Sequence, residues 1–210
     1  MADDHALSAR VRHLADRLAT EELGAQQRLD LERLLAEAAA VLGPEAHDRS
    51  RFARSFDPDG VHDGPVGLPA HPLALGTSAV YPPLHFDLSP DGSRLVAEVR
   101  FGPAWEGPPG LVHGGFLAAG FDMVLSAMAN HHLDHGVTRW LRVRYLKPTV
   151  LGSQLRYEVV LGEASGRLLD LAGTLFADDR VTMRATAQFA SVPVHRFGVR
   201  PGPGDAAEES

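Results

Sequence analysis

Asp122 is the only charged side chain between Gly114 and Ala129, in the run GGFLAAGFDMVLSAMA. An apolar segment longer than ten residues and without alternation predicts a buried helix rather than a strand. A lone carboxylate on a helix that is hydrophobic all round carries a desolvation cost, and burial raises its pKa. Chains keep such a group for a partner or a task. The helix is introduced by Gly107-Pro-Pro-Gly-Leu-Val-His-Gly-Gly115. This places flexible backbone where a helix start leaves N–H groups unpaired. A carboxylate and a glycine-rich helix start are together the parts needed to attack a carbonyl: a base or nucleophile, and a donor for the oxygen that becomes negative.

The elements that must position these residues follow from pattern. Leu7, Val11, Leu14 and Leu18 form one helical stripe, and Leu31, Leu34, Leu35, Ala38, Val41 and Leu42 a second, ended by Gly43-Pro44. Charged residues fill the other faces, so these two helices are expected to lie on the main domain or on a second subunit. Residues 48–80 are rich in Gly, Pro and Asp and predict a linker over the surface. Strand alternation then appears at Leu84–Leu88 and Leu95–Phe101, on either side of the turn Ser89-Pro-Asp-Gly92. After the apolar helix come Trp140–Leu146, Leu155–Leu161, Leu168–Phe176 and Val181–Phe189, in meander spacing. One long apolar helix with a single antiparallel sheet is an α+β layout in which the sheet curls around the helix. The expected division is a helical extension over 1–47, a linker over 48–71, the α+β domain over 72–195 and a disordered tail over 196–210.

Composition excludes several classes. The 210 residues carry a net charge of −7, and nucleic-acid binding would call for a basic stripe instead. There is no cysteine, hence no disulfide, thiolate metal site or cysteine nucleophile. The first residues, MADDHALSARVRHL, do not form a signal peptide, and no apolar run is long enough to span a membrane. A cytoplasmic protein without membrane or nucleic-acid partners is expected. His131 and His135 are four apart, but Asp134 and Gly136 mark a helix exit there, and no metal site is expected.

Phe101-Gly-Pro-Ala-Trp-Glu-Gly-Pro-Pro-Gly-Leu-Val-His-Gly-Gly115 followed by Phe121-Asp122, and Thr138-x-x-Leu141-x-Val143-x-Tyr145-x-x-Pro148-x-x-Leu151-Gly152, resemble the signature of hotdog-fold acyl-CoA thioesterases of the phenylacetate-pathway type. The resemblance covers about Pro72 to Val192 and leaves the N-terminal helices outside it. It implies a hotdog fold and hydrolysis of a coenzyme A thioester, with no further cofactor. It also implies Asp122 as the catalytic carboxylate, Gly114 as backbone donor to the carbonyl, His113 before the glycine pair, and Thr138 as a polar residue positioning the attacking water. Gly115 and Trp105 fall in the substrate-binding segment, with Trp105 standing where a smaller aromatic is expected.

Other residues have a plain structural explanation beside the chemical one. His113 is as well suited to fixing the loop as to carrying a proton, and Thr138 to starting a strand. Arg142 and Arg144 alternate with Leu141, Val143 and Tyr145 and point away from the core. With Arg139 and Lys147 they form a local basic cluster, either solvated or suited to the phosphates of coenzyme A. Spacing adds one inference of its own. Gly114 and Asp122, eight residues apart on one helix, are separated by about 12 Å along its axis. An attacking group and an oxyanion donor must both lie within about 3 Å of the reacting atoms. The site is therefore expected to be shared between two chains, making a dimer the smallest active unit, with a tetramer equally open. The alternative is a noncatalytic acyl-CoA-binding hotdog protein with a regulatory or scaffolding role, and only the enzyme has a use for Asp122.

Overall fold

The computed structural model describes residues 2–42, 78–133 and 135–192. The elements run α1 (Ala2–Thr20), α2 (Ala25–Ala40), β1 (His85–Leu88), β2 (Arg94–Val99), a 3₁₀ turn (Pro103–Trp105), α3 (Gly114–His132), β3 (Gly136–Tyr145), β4 (Leu155–Ser165), β5 (Leu168–Ala177) and β6 (Arg180–Ser191). Six antiparallel strands form one sheet in the order β1-β2-β4-β5-β6-β3. The sheet wraps α3, which touches β2, β3, β4, β5 and β6. This is the hotdog fold, α+β with helices ahead of the sheet. No described helix is long and apolar enough to cross a membrane.

The inward sides of the strands and one side of α3 make the core. Phe121, Val124, Leu125 and Met128 of α3 are fully buried, against Leu95, Leu155, Tyr157, Leu175, Met183 and Phe189. Each such side chain contributes about 1.5–3 kcal/mol through removal from water.

Three expectations are corrected and one is narrowed. The last four strands are not a simple meander, because β2 pairs with β4 and sends β3 to the far edge beside β6. Turn residues mark where a strand ends but not which neighbour it takes. The strand expected to reach Phe101 ends at Val99, and a 3₁₀ turn at Pro103–Trp105 follows. In the single chain the leucine stripe of α1 does not lie on the main domain: Leu7, Val11 and Leu18 are 61%, 43% and 45% exposed and Leu14 alone is half-buried, which leaves the second subunit of the two expected supports. The helix rests instead on a half-buried polar stripe that includes Arg12 and Asp16. On α2 no residue is buried. Finally, α3 is not buried all round, since Gly115, Ala119 and Asp122 line an exposed stripe. Gly115 and Ala119 count toward an apolar run in sequence but give a neighbouring element little to cover. Most of the expected linker and the whole tail lie outside the described residues.

Candidate active site

Helix α3 begins at Gly114 because His113 caps it. The His113 backbone is extended (φ −61°, ψ 127°), and its ring Nδ1 accepts the Gly115 N–H at 3.0 Å. In the neutral ring the proton therefore sits on Nε2. The His113 carbonyl accepts from Phe116 N at 3.0 Å, and the His113 N–H donates to the Trp105 carbonyl at 2.9 Å. Of the first two amides of the helix, that of Gly115 is spent on its own cap. The Gly114 amide has no partner among the described residues. It is the open donor at the positive end of the helix.

Tyr145, at the end of β3, holds the other side of Gly114. Its hydroxyl donates to the Gly114 carbonyl at 2.9 Å, and a Cβ added at 114 would stand 3.0 Å from the Tyr145 ring. Glycine here lets the phenol lie directly on the backbone. Two further tyrosines brace the same part of the helix from within. Tyr81 donates to the Phe116 carbonyl and Tyr157 to the Leu117 carbonyl, each at 3.1 Å. Burial pushes both phenols above their ordinary range, so both remain donors at neutral pH.

Two turns along, Asp122 lies on the exposed stripe. The expected burial is corrected: in the single chain its carboxylate is open to solvent. Among the described residues one hydrogen bond holds it, from the Thr138 hydroxyl, which donates to Oδ1 at 3.2 Å. Thr138 reaches it because β3 starts under the end of α3. The Asn130 side chain receives the Gly136 N–H at 2.7 Å, and a bulge between Thr138 and Trp140 leaves Thr138 opposite the core residue Phe189. The remaining carboxylate oxygen is left for water or substrate.

The other predicted residues lie elsewhere. Trp105 is in the core at 5% exposure, with Nε1 donating to the Val80 carbonyl at 3.0 Å. It supports the loop before α3. Arg142 and Arg144 are exposed on the face of β3 opposite α3, so one chain does not bring them to Asp122 or Gly114. Arg142 lies 5.9 Å above the Trp140 ring, and Arg144 stands opposite Arg184. Lys147, also exposed, follows Tyr145 by two residues at the strand end that meets Gly114. Sequence reasoning assigned no role to Tyr145, Tyr81, Tyr157 or Asn130. For Tyr145 a signal existed, its place in the motif from Thr138 to Gly152.

Residues 109–184 match the family model of the thioesterase superfamily. Among solved structures, one described as a thioesterase superfamily protein is 27% identical, with a TM-score of 0.68, over 89% of this chain and 94% of that one. A mutant of a phenylacetic acid degradation protein from Thermus thermophilus is 21% identical, with a TM-score of 0.48, over 52% of this chain and 93% of its own. An acyl-CoA hydrolase from Staphylococcus aureus, solved with butyryl coenzyme A and coenzyme A, is 20% identical, with a TM-score of 0.47, over 50% of this chain and 66% of that one. No curated protein matches the sequence. The chain has the hotdog fold and, across the helix and strands that carry His113, Gly114, Asp122, Thr138 and Tyr145, the sequence pattern of the thioesterase superfamily.

Proposed function

We propose that this protein is an acyl-CoA thioesterase of the phenylacetate-pathway type, acting as a homodimer in the cytoplasm and needing no further cofactor. The observation that carries this is the pair on α3: an open amide at Gly114, and an open carboxylate at Asp122 held by Thr138. The two lie about 12 Å apart along one helix, too far to serve one carbonyl from the same chain.

Strand β3 supports the shared site. It is an outer edge of the sheet among the described strands, its start touches Asp122 through Thr138, and its end touches Gly114 through Tyr145. If two copies pair edge to edge in antiparallel fashion, the start of one β3 meets the end of the other. Asp122 of one chain then faces Gly114 of its mate, and two equivalent sites form about the twofold axis. The unpaired edge is satisfied in the same step.

In such a site the thioester carbonyl accepts from the Gly114 N–H of one chain. The growing negative charge on oxygen meets the helix terminus, a contribution of roughly 3 kcal/mol. Asp122 of the mate either takes a proton from the attacking water or attacks the carbonyl itself, with Thr138 orienting the carboxylate or the water. The products are a carboxylic acid and coenzyme A. Lys147 stands at the Gly114 end as a contact for the coenzyme's phosphates.

The test is a hydrolysis screen over aryl- and alkyl-CoA esters, read by thiol release. Turnover of at least one ester is expected. Acyl-CoA binding without turnover of any member would favour the noncatalytic module instead.

A further inference from the structure

Helix α1 lies outside the segment that matches the thioesterase model, yet it is hydrogen-bonded to the loop that presents Gly114. Two residues one turn apart on its half-buried stripe make the attachment. The Asp16 carboxylate accepts the Ala104 N–H at 2.9 Å, inside the 3₁₀ turn. The Arg12 guanidinium donates to the Ser78 carbonyl. Gly102 is what allows the carboxylate so close, because a Cβ there would stand 2.6 Å from both Asp16 oxygens.

The two anchor points are themselves joined. The Ser78 hydroxyl accepts from Val80 N and Tyr81 N, and the Val80 carbonyl accepts Trp105 Nε1 at 3.0 Å. A closed ring results, running from Arg12 through Ser78, Val80, Trp105 and Ala104 back to Asp16. Its output is the Trp105 carbonyl, which takes the His113 N–H at 2.9 Å and so fixes the residue that caps α3. Only the stretch Ala104–Trp105 and one backbone hydrogen bond separate the Asp16 carboxylate from the helix start.

We propose that α1 is a positioning element of the active site, in which Asp16 holds the loop from Gly102 to His113 so that the Gly114 amide is aimed before substrate arrives. The proposal rests on the functional assignment above for its catalytic readout, though not for its structural one. A preorganised donor acts by not having to reorient as charge develops, so a loosened loop lowers turnover more than it weakens ground-state binding. Asp16 touches no substrate and is a positioning residue.

The full chain is tested as parent, Asp16→Ala and Asp16→Asn, by amide hydrogen exchange at His113, Gly115 and Phe116 and by acyl-CoA turnover. Asp16→Ala is expected to speed exchange at those amides and to lower kcat about tenfold with KM within about twofold. Asp16→Asn keeps an oxygen that can accept from Ala104 and is expected to stay close to the parent in both. Parental exchange in a folded Asp16→Ala overturns the proposal. So does an equal loss in Asp16→Asn, or a fall in kcat that only follows a general loss of folded protein. If Asp16→Ala does not fold, Arg12→Gln is read in the same way, with a smaller effect expected in the same direction. A parent that turns over no acyl-CoA ends the functional assignment, and the exchange comparison still decides whether α1 holds the loop.

Discussion

The two functional points of α3 are built in opposite ways. Around Gly114 nearly every polar group is engaged: His113 caps Gly115, Trp105 holds His113, Tyr145 holds the Gly114 carbonyl, and Tyr81 and Tyr157 brace the next carbonyls. Among the described residues the Gly114 N–H is left without a partner. Around Asp122 there is one contact, from Thr138, and open solvent. The difference matches what each group would do. A fixed dipole is useful when it is already aimed, and neighbours aim it. A base or nucleophile needs a free lone pair and room for water, so it is held lightly and covered only when a second chain and substrate arrive.

Removing either group should have the largest effect. Gly114→Pro deletes the N–H at the first helical position, where proline is otherwise well accepted. His113 already has the extended conformation that suits a residue before proline. Turnover should fall by roughly 10²–10³. Gly114→Ala keeps the N–H and adds only a Cβ 3.0 Å from the Tyr145 ring, so it should lose much less. Asp122→Asn keeps shape and loses the base, with an expected fall of at least about a hundredfold and the melting temperature retained. Equal losses in Gly114→Ala and Gly114→Pro would mean that shape, and not the donor, matters at that end.

A smaller effect is expected from the residue that only holds the donor. Tyr145→Phe removes the hydroxyl from the Gly114 carbonyl while keeping the ring, which should lower kcat by about three- to tenfold, equivalent to one neutral hydrogen bond. Thr138→Val, at the loosely held end, should lower kcat by a similar factor through loss of the one hydrogen bond to Asp122, while leaving hydrogen exchange at Gly115 and Phe116 as in the parent. Faster exchange at those amides in Thr138→Val would contradict the division of labour between the two ends.

The smallest effects concern charge. Lys147→Gln should raise KM for acyl-CoA by about threefold, as expected for an exposed ion contact, and should spare a pantetheine thioester without the nucleotide. The Arg142→Gln, Arg144→Gln pair, on the face of β3 opposite α3, should change neither. A selective KM effect from the arginine pair would place the nucleotide on the outer face of the sheet.

Much of this fold was legible because it is periodic. Alternation located β1 and β4–β6, and an apolar run located α3. Asp122, Gly114 and Thr138 were legible through their motif, and their separation along the helix from helical rise alone. What escaped is tertiary. Strand alternation cannot say that β3 pairs with β6, and no local signal joins Asp16 to Ala104 or Tyr145 to Gly114, since each pair is far apart in sequence. The leucines of α1 show a related limit: a helical stripe tells which side could be buried, by the main domain or by a second subunit, while the side that docks within the chain carries Arg12 and Asp16.

The central claim, one site made from two chains, is tested most directly by complementation. Chains carrying Gly114→Pro and chains carrying Asp122→Asn are co-refolded and the mixed dimer is isolated through distinct tags. In it, one of the two sites pairs an intact Gly114 with an intact Asp122, while the other has lost both. The account predicts recovery to about half the unsubstituted protein's turnover per dimer, from two variants that are each nearly inactive alone. A mixed dimer as inactive as either variant alone would contradict a shared site and place both groups' work within one chain.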